Sequence, residues 1–169
     1  LSLLHDGTRK IMAMQFRTVI DIKSFDRKID HSSRILSLGS CFADNIARRM
    51  QRAKFRVEAS PTGILFNPES IARAVERFAA SESPAREELR QDGEREVGYD
   101  FHSAFADADP ERALAAMREA ARRGADALRR ADTVIITFGT AWIYRLRENG
   151  EVVANCHKQP QSLFARELL

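Results

Sequence analysis

The chain is organised around Ile-Leu-Ser-Leu-Gly-Ser-Cys-Phe-Ala-Asp, residues 35–44. The first four residues are a short apolar run of strand length, and a helical pattern begins directly after Gly39. Ser40 and Cys41 therefore fall on a tight turn between a strand and a helix. In open α/β sheets, ligands bind beyond the carboxyl ends of the strands, beside the unpaired amides of the following helix. Both residues are candidate nucleophiles at this position, although a serine here is also an ordinary helix N-cap.

Strand and helix patterns alternate after this turn. The alternating run 55–59 predicts a second strand, so the first three elements form a β-α-β unit with parallel strands. The β-branched run 133–138 predicts a central parallel strand that is buried on both faces. Such alternation predicts an α/β fold with helices on both faces of a parallel sheet. The predicted helices cover about 42–54, a segment opened by Asn67 and Pro68, and a segment from Asp109 to about Arg130.

The other segments are predicted from turn and propensity signals. Residues 16–22 are β-prone and predict an N-terminal edge strand. The polar stretch 81–109 predicts an irregular insertion, either a lid or a surface excursion. Asn149 and Gly150 predict a type I′ turn in a hairpin over 143–154. Residues 161–169 predict an amphipathic helix that has no C-cap signal.

Composition limits the classes of function. The chain has 169 residues, of which 44% are hydrophobic and 30% charged, which suits one globular domain or part of a larger one. Its net charge of +3 comes from scattered arginines with interleaved acids, so we expect no nucleic-acid binding. No apolar run is long enough for a membrane helix or a signal peptide, and two cysteines do not make a disulfide framework. These features predict a cytoplasmic protein.

The sequence also predicts no metal and no cofactor. Cys41, Cys156 and His157 lack the paired spacing of zinc ligands, and no glycine-rich phosphate loop is present. The chain begins with a leucine, so residues 1–14 are predicted to be a non-native or disordered leader. The uncapped final helix predicts that residues 15–169 are the N-terminal portion of a single, C-terminally truncated domain.

Four blocks of this sequence resemble the GSCFA family, in order along the chain. The first is Gly-Ser-Cys-Phe-Ala at residues 39–43, and the others lie at residues 60–71, 137–142 and 153–158. The resemblance implies membership of the SGNH (GDSL-like) hydrolase superfamily. It therefore implies a three-layer, flavodoxin-like parallel sheet with a serine nucleophile after the first strand.

The resemblance further implies ester hydrolysis in which Ser40 attacks the carbonyl of a small-molecule or glycan ester. The superfamily has a late Asp-x-x-His block that supplies the base, and no such block occurs in these residues. The catalytic machinery is therefore expected to be incomplete here, and the fragment nearly inactive. By resemblance, Thr140 or Ala141 stands where an asparagine donor is expected. Gly63 either donates its amide or serves as a left-handed turn residue. The implied oxyanion and site-lining residues are Gly39, Gly63, Gly139, Thr140 and Asn155.

Other assignments remain open at this stage. His102 and His157 are further candidates for the site, although each is more simply explained as a loop or structural histidine. Cys41 is a candidate for a thiol enzyme, because a helix N-terminus lowers a thiol pKa. A third hypothesis is a non-catalytic ligand-binding module that uses the crevice at the carboxyl ends of the strands. The substrate and the oligomeric state do not follow from the sequence.

Overall fold

The computed structural model describes residue 18 and residues 20–169. In this part of the chain there are three α-helices, three short 3-10 helices and eight strands. The α-helices are α1 (Cys41–Arg52), α2 (Pro68–Ala80) and α3 (Pro110–Arg130). The strands are β1 (Arg34–Gly39), β2 (Arg56–Ala59), β3 (Leu89–Asp92), β4 (Arg95–Gly98), β5 (Thr133–Thr137), β6 (Trp142–Leu146), β7 (Val152–Val153) and β8 (Phe164–Leu168).

A parallel sheet of order β2-β1-β5 forms the centre of the fold. The predicted β-α-β unit is confirmed, and β5 pairs in parallel with β1. The prediction that β5 is central and buried on both faces is wrong. Among the described residues β5 is an edge strand of the parallel sheet, and Val134 and Ile136 are each 43% exposed.

Helix positions follow from the local signals in the sequence. The Asn67 side chain accepts a hydrogen bond from the Ser70 amide at 2.8 Å, and Asp109 likewise caps α3 through the Glu111 amide. Helix α1 lies against β1 and β2, whereas α2 and α3 pack on each other. Of the described helices, none combines the length and apolar character needed to cross a membrane. The core under α2 and α3 is formed by Leu36, Leu38, Leu65, Ile71, Phe78 and Ala125.

Residues 81–109 are more regular than predicted. Strands β3 and β4 form an antiparallel hairpin whose turn contains Gly93 at φ +61°. Phe101, which follows the hairpin, packs with Met117 of α3 in a second small core. Only Val97 and Gly98 of the hairpin strands are buried, and the other strand residues are exposed or half-buried and mostly polar, so composition alone did not reveal the hairpin.

Strands β7, β6 and β8 form a separate antiparallel sheet. The hairpin over 143–154 is confirmed, but the type I′ turn is wrong, because only Gly150 has a positive φ (+74°). The predicted helix over 161–169 is also wrong, since Phe164–Leu168 pairs with β6 as a strand. Pairing with a neighbouring strand overrides the local helical pattern there.

Two predictions concern residues that are only partly described. The proposed leader, 1–14, lies outside the described residues. The predicted edge strand over 16–22 is described only at residues 18 and 20–22, and these are not in a strand.

Candidate active site

Ser40 lies at the carboxyl end of β1, at the N-cap position of α1, and is 7% exposed. Its side chain makes no capping bond to the helix. The hydroxyl instead lies 2.9 Å from the Thr137 hydroxyl at the end of β5. The Ser40 amide also donates to the Thr137 carbonyl and hydroxyl oxygens, at 3.2 Å each. The Ser40 side chain is thus oriented by the neighbouring strand and not used as a helix cap.

Gly39 allows this close approach of β1 and β5. It has φ +127°, and a Cβ atom there would lie 2.0 Å from the Thr137 carbonyl oxygen. Since both the backbone angle and the contact exclude a side chain, glycine is required at this position.

Three chain segments meet beside Ser40. The Leu65 amide donates to the Gly39 carbonyl at 2.9 Å, and the Gly139 amide donates to the Phe66 carbonyl at 2.7 Å. A Cβ atom on Gly139 would lie 3.4 Å from the Ser40 Cβ. The structure therefore brings the predicted site residues Gly39 and Gly139 next to Ser40.

Several backbone amides predicted as oxyanion donors are already engaged. The Gly63 amide donates to the Ser60 carbonyl at 2.8 Å, and the Thr140 amide donates to the Phe66 carbonyl at 3.1 Å. The Thr140 hydroxyl accepts from the Trp142 amide at 3.0 Å, so its own proton stays available for donation. Gly63, at φ +94°, fits the left-handed turn alternative.

The available backbone donors lie in the first turn of α1. Within the described residues, the amides of Cys41, Phe42 and Ala43 have no hydrogen-bond acceptor. These orphan amides lie at the positive end of the helix dipole, directly after Ser40. The strand-Gly-Ser-helix pattern in the sequence indicates these three amides, although they were not among the predicted donors.

His102 packs against the loop that contains Gly63. A Cβ atom on Gly63 would lie 2.2 Å from the His102 Cβ, and the His102 amide donates to the Thr62 carbonyl at 2.9 Å. Its Nδ1 accepts from the Ala104 amide at 3.2 Å. The neutral ring therefore carries its proton on Nε2, which makes that atom a donor and not a base in this arrangement.

Asn155 and His157 belong to a different loop. The Asn155 side chain accepts from the His157 amide at 2.8 Å and donates weakly to the Ser103 hydroxyl at 3.4 Å. His157 is buried, and its Nε2 lies 3.0 Å from the Gly98 carbonyl, which can only accept. Neither side chain is hydrogen-bonded to Ser40. None of the histidines in the described part of the chain contacts the Ser40 hydroxyl through a hydrogen bond.

The protonation of His157 should make the fold sensitive to acid. Burial lowers the pKa of His157 below its usual 6.5, against a smaller raising effect of the Gly98 carbonyl. The unfolded chain therefore binds this proton more readily than the folded chain, and the free energy of unfolding falls as the pH drops below about 6.5. We expect wild-type protein to lose more stability between about pH 7 and pH 5 than His157→Gln does.

Urea unfolding at the two pH values measures this difference, and the exposed histidine variant His31→Gln is the control. An acid-induced loss that is the same in the wild type and in His157→Gln would show that His157 does not contribute.

The two cysteines differ in their environments. Cys41 is exposed in the first turn of α1, whereas Cys156 is half-buried, and burial raises the pKa of its thiol. They lie in separate parts of the fold, and the structure shows no cluster of possible metal ligands among the residues it describes. Cys41 thus shares the helix N-terminus with Ser40 and is the thiol to test there.

Comparisons with other proteins give one informative result. Neither the curated proteins nor the solved structures include a significant match. The model of the GSCFA family matches residues 34–169, a range that begins at β1 and includes every candidate site residue named above. This chain belongs to the GSCFA family.

Proposed function

We propose that this domain is a serine hydrolase of the SGNH type that cleaves esters, with Ser40 as the nucleophile. One observation carries the proposal: the Ser40 hydroxyl lies at the carboxyl end of a parallel strand, fixed 2.9 Å from Thr137 and directly before three unpartnered helix amides. The Ser40 hydroxyl has no capping role in α1, so this position leaves it available as a nucleophile once a base is present.

The proposal includes a three-layer, flavodoxin-like arrangement. Strand order β2-β1-β5 has the pattern expected when the chain crosses over between adjacent parallel strands. Leu36 and Leu38 of β1 pack in the core with α2 and α3, and α1 contacts the same two strands β1 and β2. Helices on opposite sides of the sheet account for both sets of contacts.

In the proposed reaction, the Ser40 Oγ attacks the ester carbonyl carbon, and its proton passes to a base. The carbonyl oxygen becomes an oxyanion that accepts hydrogen bonds from the first amides of α1, with the Thr140 hydroxyl as a further donor. Each donor of this kind stabilises the transition state by about 3–4 kcal/mol in serine hydrolases. The tetrahedral intermediate then collapses, the ester C–O bond breaks, and the alcohol leaves with the proton that the base took from Ser40. Water, deprotonated by the same base, attacks the acyl-enzyme, and the acid is released as Ser40 recovers its proton.

The base is the component that the described residues do not provide. His102 presents a donor, and His157 is engaged with Gly98. We propose that the base comes from an Asp-x-x-His block of the kind found late in SGNH domains.

Exposed aromatic side chains near Ser40 suggest the class of substrate. Phe66 contacts Gly139 and is 44% exposed. Phe42 follows Cys41 in the chain and is 63% exposed, and Phe138 precedes Gly139 and is 61% exposed. Exposed aromatic groups at a site bind the apolar or sugar part of a ligand. We propose a small-molecule or glycan ester as the substrate, in a cytoplasmic protein without a nucleic-acid partner.

Covalent labelling tests the proposal. We expect a fluorophosphonate probe to modify the full-length protein at Ser40, as mapped by peptide mass spectrometry, and Ser40→Ala to lose all labelling. Cys41→Ala is the matched control, because it alters the adjacent side chain and keeps the backbone amide, and it should label normally. Labelling that persists in Ser40→Ala would contradict the proposal.

A non-catalytic binding module is the second candidate. It is favoured by one observation, that the Ser40 hydroxyl is hydrogen-bonded to Thr137 while no histidine of the described residues bonds to it. Ligand binding that survives Ser40→Ala, with no ester turnover by the full-length protein, would support this function. Thiol catalysis by Cys41 would instead be shown by loss of both labelling and turnover in Cys41→Ala.

A further inference from the structure

A cavity of about 420 Å³ lies away from Ser40, on one face of the β7-β6-β8 sheet. Tyr144 of β6 and Phe164 of β8 contribute aromatic side chains to it, and the loop around Gln159 forms the opposite wall. This volume falls within the range of small-molecule sites. The fourth sequence block of the family, 153–158, leads directly into that loop, and the proposed hydrolase reaction gives it no role.

The charge of this cavity sets it apart. Arg147, Lys158 and Arg166 line it, and no carboxylate does. In the part of the chain that the structure describes, none of the three forms an ion pair. Three other cavities also contain arginines, but at least two carboxylates line each of them. One of these linings is still net positive, with four arginines and two carboxylates. Among the four, only the lining around Lys158 has cationic side chains and no carboxylate, an arrangement that attracts an anion.

The loop that carries Lys158 has a defined conformation. His157 and Lys158 have φ values of +50° and +64°, which are unusual for residues other than glycine. The ring of buried His157 holds the loop to the Gly98 carbonyl, and the Tyr99 hydroxyl donates to Gln159 Oε1 at 2.6 Å. These contacts fix the backbone that presents Lys158 and leave the Gln159 amide hydrogens free to donate.

Arg166 is also oriented before any ligand binds. Its guanidinium lies 4.0 Å from the centre of the Trp142 ring, so the planar group rests against an aromatic face. A guanidinium held in one orientation recognises a phosphate through two parallel hydrogen bonds at a lower entropic cost. Arg166 and Tyr144 are direct cross-strand partners, which places the phenol hydroxyl near the same cavity.

We propose that this cavity binds a phosphorylated, polyhydroxylated small molecule of sugar-phosphate type. Arg147, Lys158 and Arg166 neutralise the phosphate, while the Gln159 amide and the Tyr144 hydroxyl bind hydroxyl groups. Phe164 packs against the apolar side of the ligand ring. This site is independent of Ser40, so its existence does not depend on the proposed hydrolase activity.

Isothermal titration calorimetry with glucose 6-phosphate as the probe tests the proposal. We expect saturable binding to the wild type that weakens with added salt, and at least about tenfold weaker binding to Arg147→Gln/Lys158→Gln. Glucose and inorganic phosphate are the two comparison probes, and each should bind more weakly than glucose 6-phosphate. Ser40→Ala should bind the probe as the wild type does.

The matched control is Arg34→Gln/Arg130→Gln. It removes the same charge from a cavity that Glu58 and Asp126 also line, and it should stay within about twofold of the wild-type affinity. Thermal unfolding of each variant verifies that these exposed substitutions keep the fold. The proposal is wrong if the wild type does not bind glucose 6-phosphate, if both double variants lose affinity equally, or if phosphate alone binds as tightly.

Discussion

Replacing Gly39 by alanine is expected to prevent the chain from folding, with a loss of more than about 4 kcal/mol of unfolding free energy. A Cβ atom at this position would lie 2.0 Å from the Thr137 carbonyl oxygen and 2.9 Å from the Thr137 backbone nitrogen. These are backbone atoms of the adjacent strand, so relief requires β1 and β5 to separate. Since β1 is the central strand of the parallel sheet, that separation disrupts the core.

Gly93→Ala is the control for the backbone angle alone. Gly93 has φ +61°, and no atom lies within 4 Å of the position that its Cβ would occupy. Its substitution should therefore cost only about 1 kcal/mol, the penalty for a left-handed alanine. Urea unfolding, or the yield of soluble protein where Gly39→Ala does not fold, measures the contrast. Similar stability of the two variants would mean that β1 and β5 are farther apart than the structure shows.

The elements that could be predicted from sequence are those with local determinants. Asn67-Pro68 and Asp109-Pro110 carry their own capping chemistry, so α2 and α3 begin where predicted. Strand 164–168 was missed because its hydrogen bonds are made with β6, about twenty residues earlier in the chain. The exposed face of β5 was missed for a similar reason, since burial depends on where other elements pack.

In the candidate site, too, features with local sequence signals were predictable and features set by distant contacts were not. Ser40, Gly39 and Gly139 follow strand ends, and the carboxyl ends of adjacent parallel strands meet, so their proximity was predictable. The hydrogen bond from Ser40 to Thr137 joins residues 97 positions apart, and no sequence pattern specifies it. The contact of His102 with Gly63 likewise depends on how the β3–β4 hairpin folds back on the loop after β2.

Replacing Ser40 by alanine should lower the kcat of the full-length protein about 10⁴- to 10⁶-fold on p-nitrophenyl acetate, with little change in KM. The substitution removes the atom that forms the acyl-enzyme and leaves the exposed aromatic side chains near Ser40 unchanged. Its cost to stability should be only about 1 kcal/mol, because the side chain makes one hydrogen bond, to Thr137, and no capping bond to α1. A large fall in kcat of the folded Ser40→Ala protein is therefore attributable to loss of the nucleophile and not to unfolding.

Two variants sharpen this test. Thr137→Val removes the hydroxyl that orients Ser40 and should lower kcat by about tenfold, since the nucleophile remains but is less well positioned. Cys41→Ala retains the backbone amide that follows Ser40 and should keep kcat within a few-fold of the wild type. If turnover falls in Cys41→Ala and survives in Ser40→Ala, the nucleophile is the Cys41 thiol. Turnover that withstands both substitutions would place the reaction at another site, because these two side chains are the nucleophiles at the N-terminus of α1.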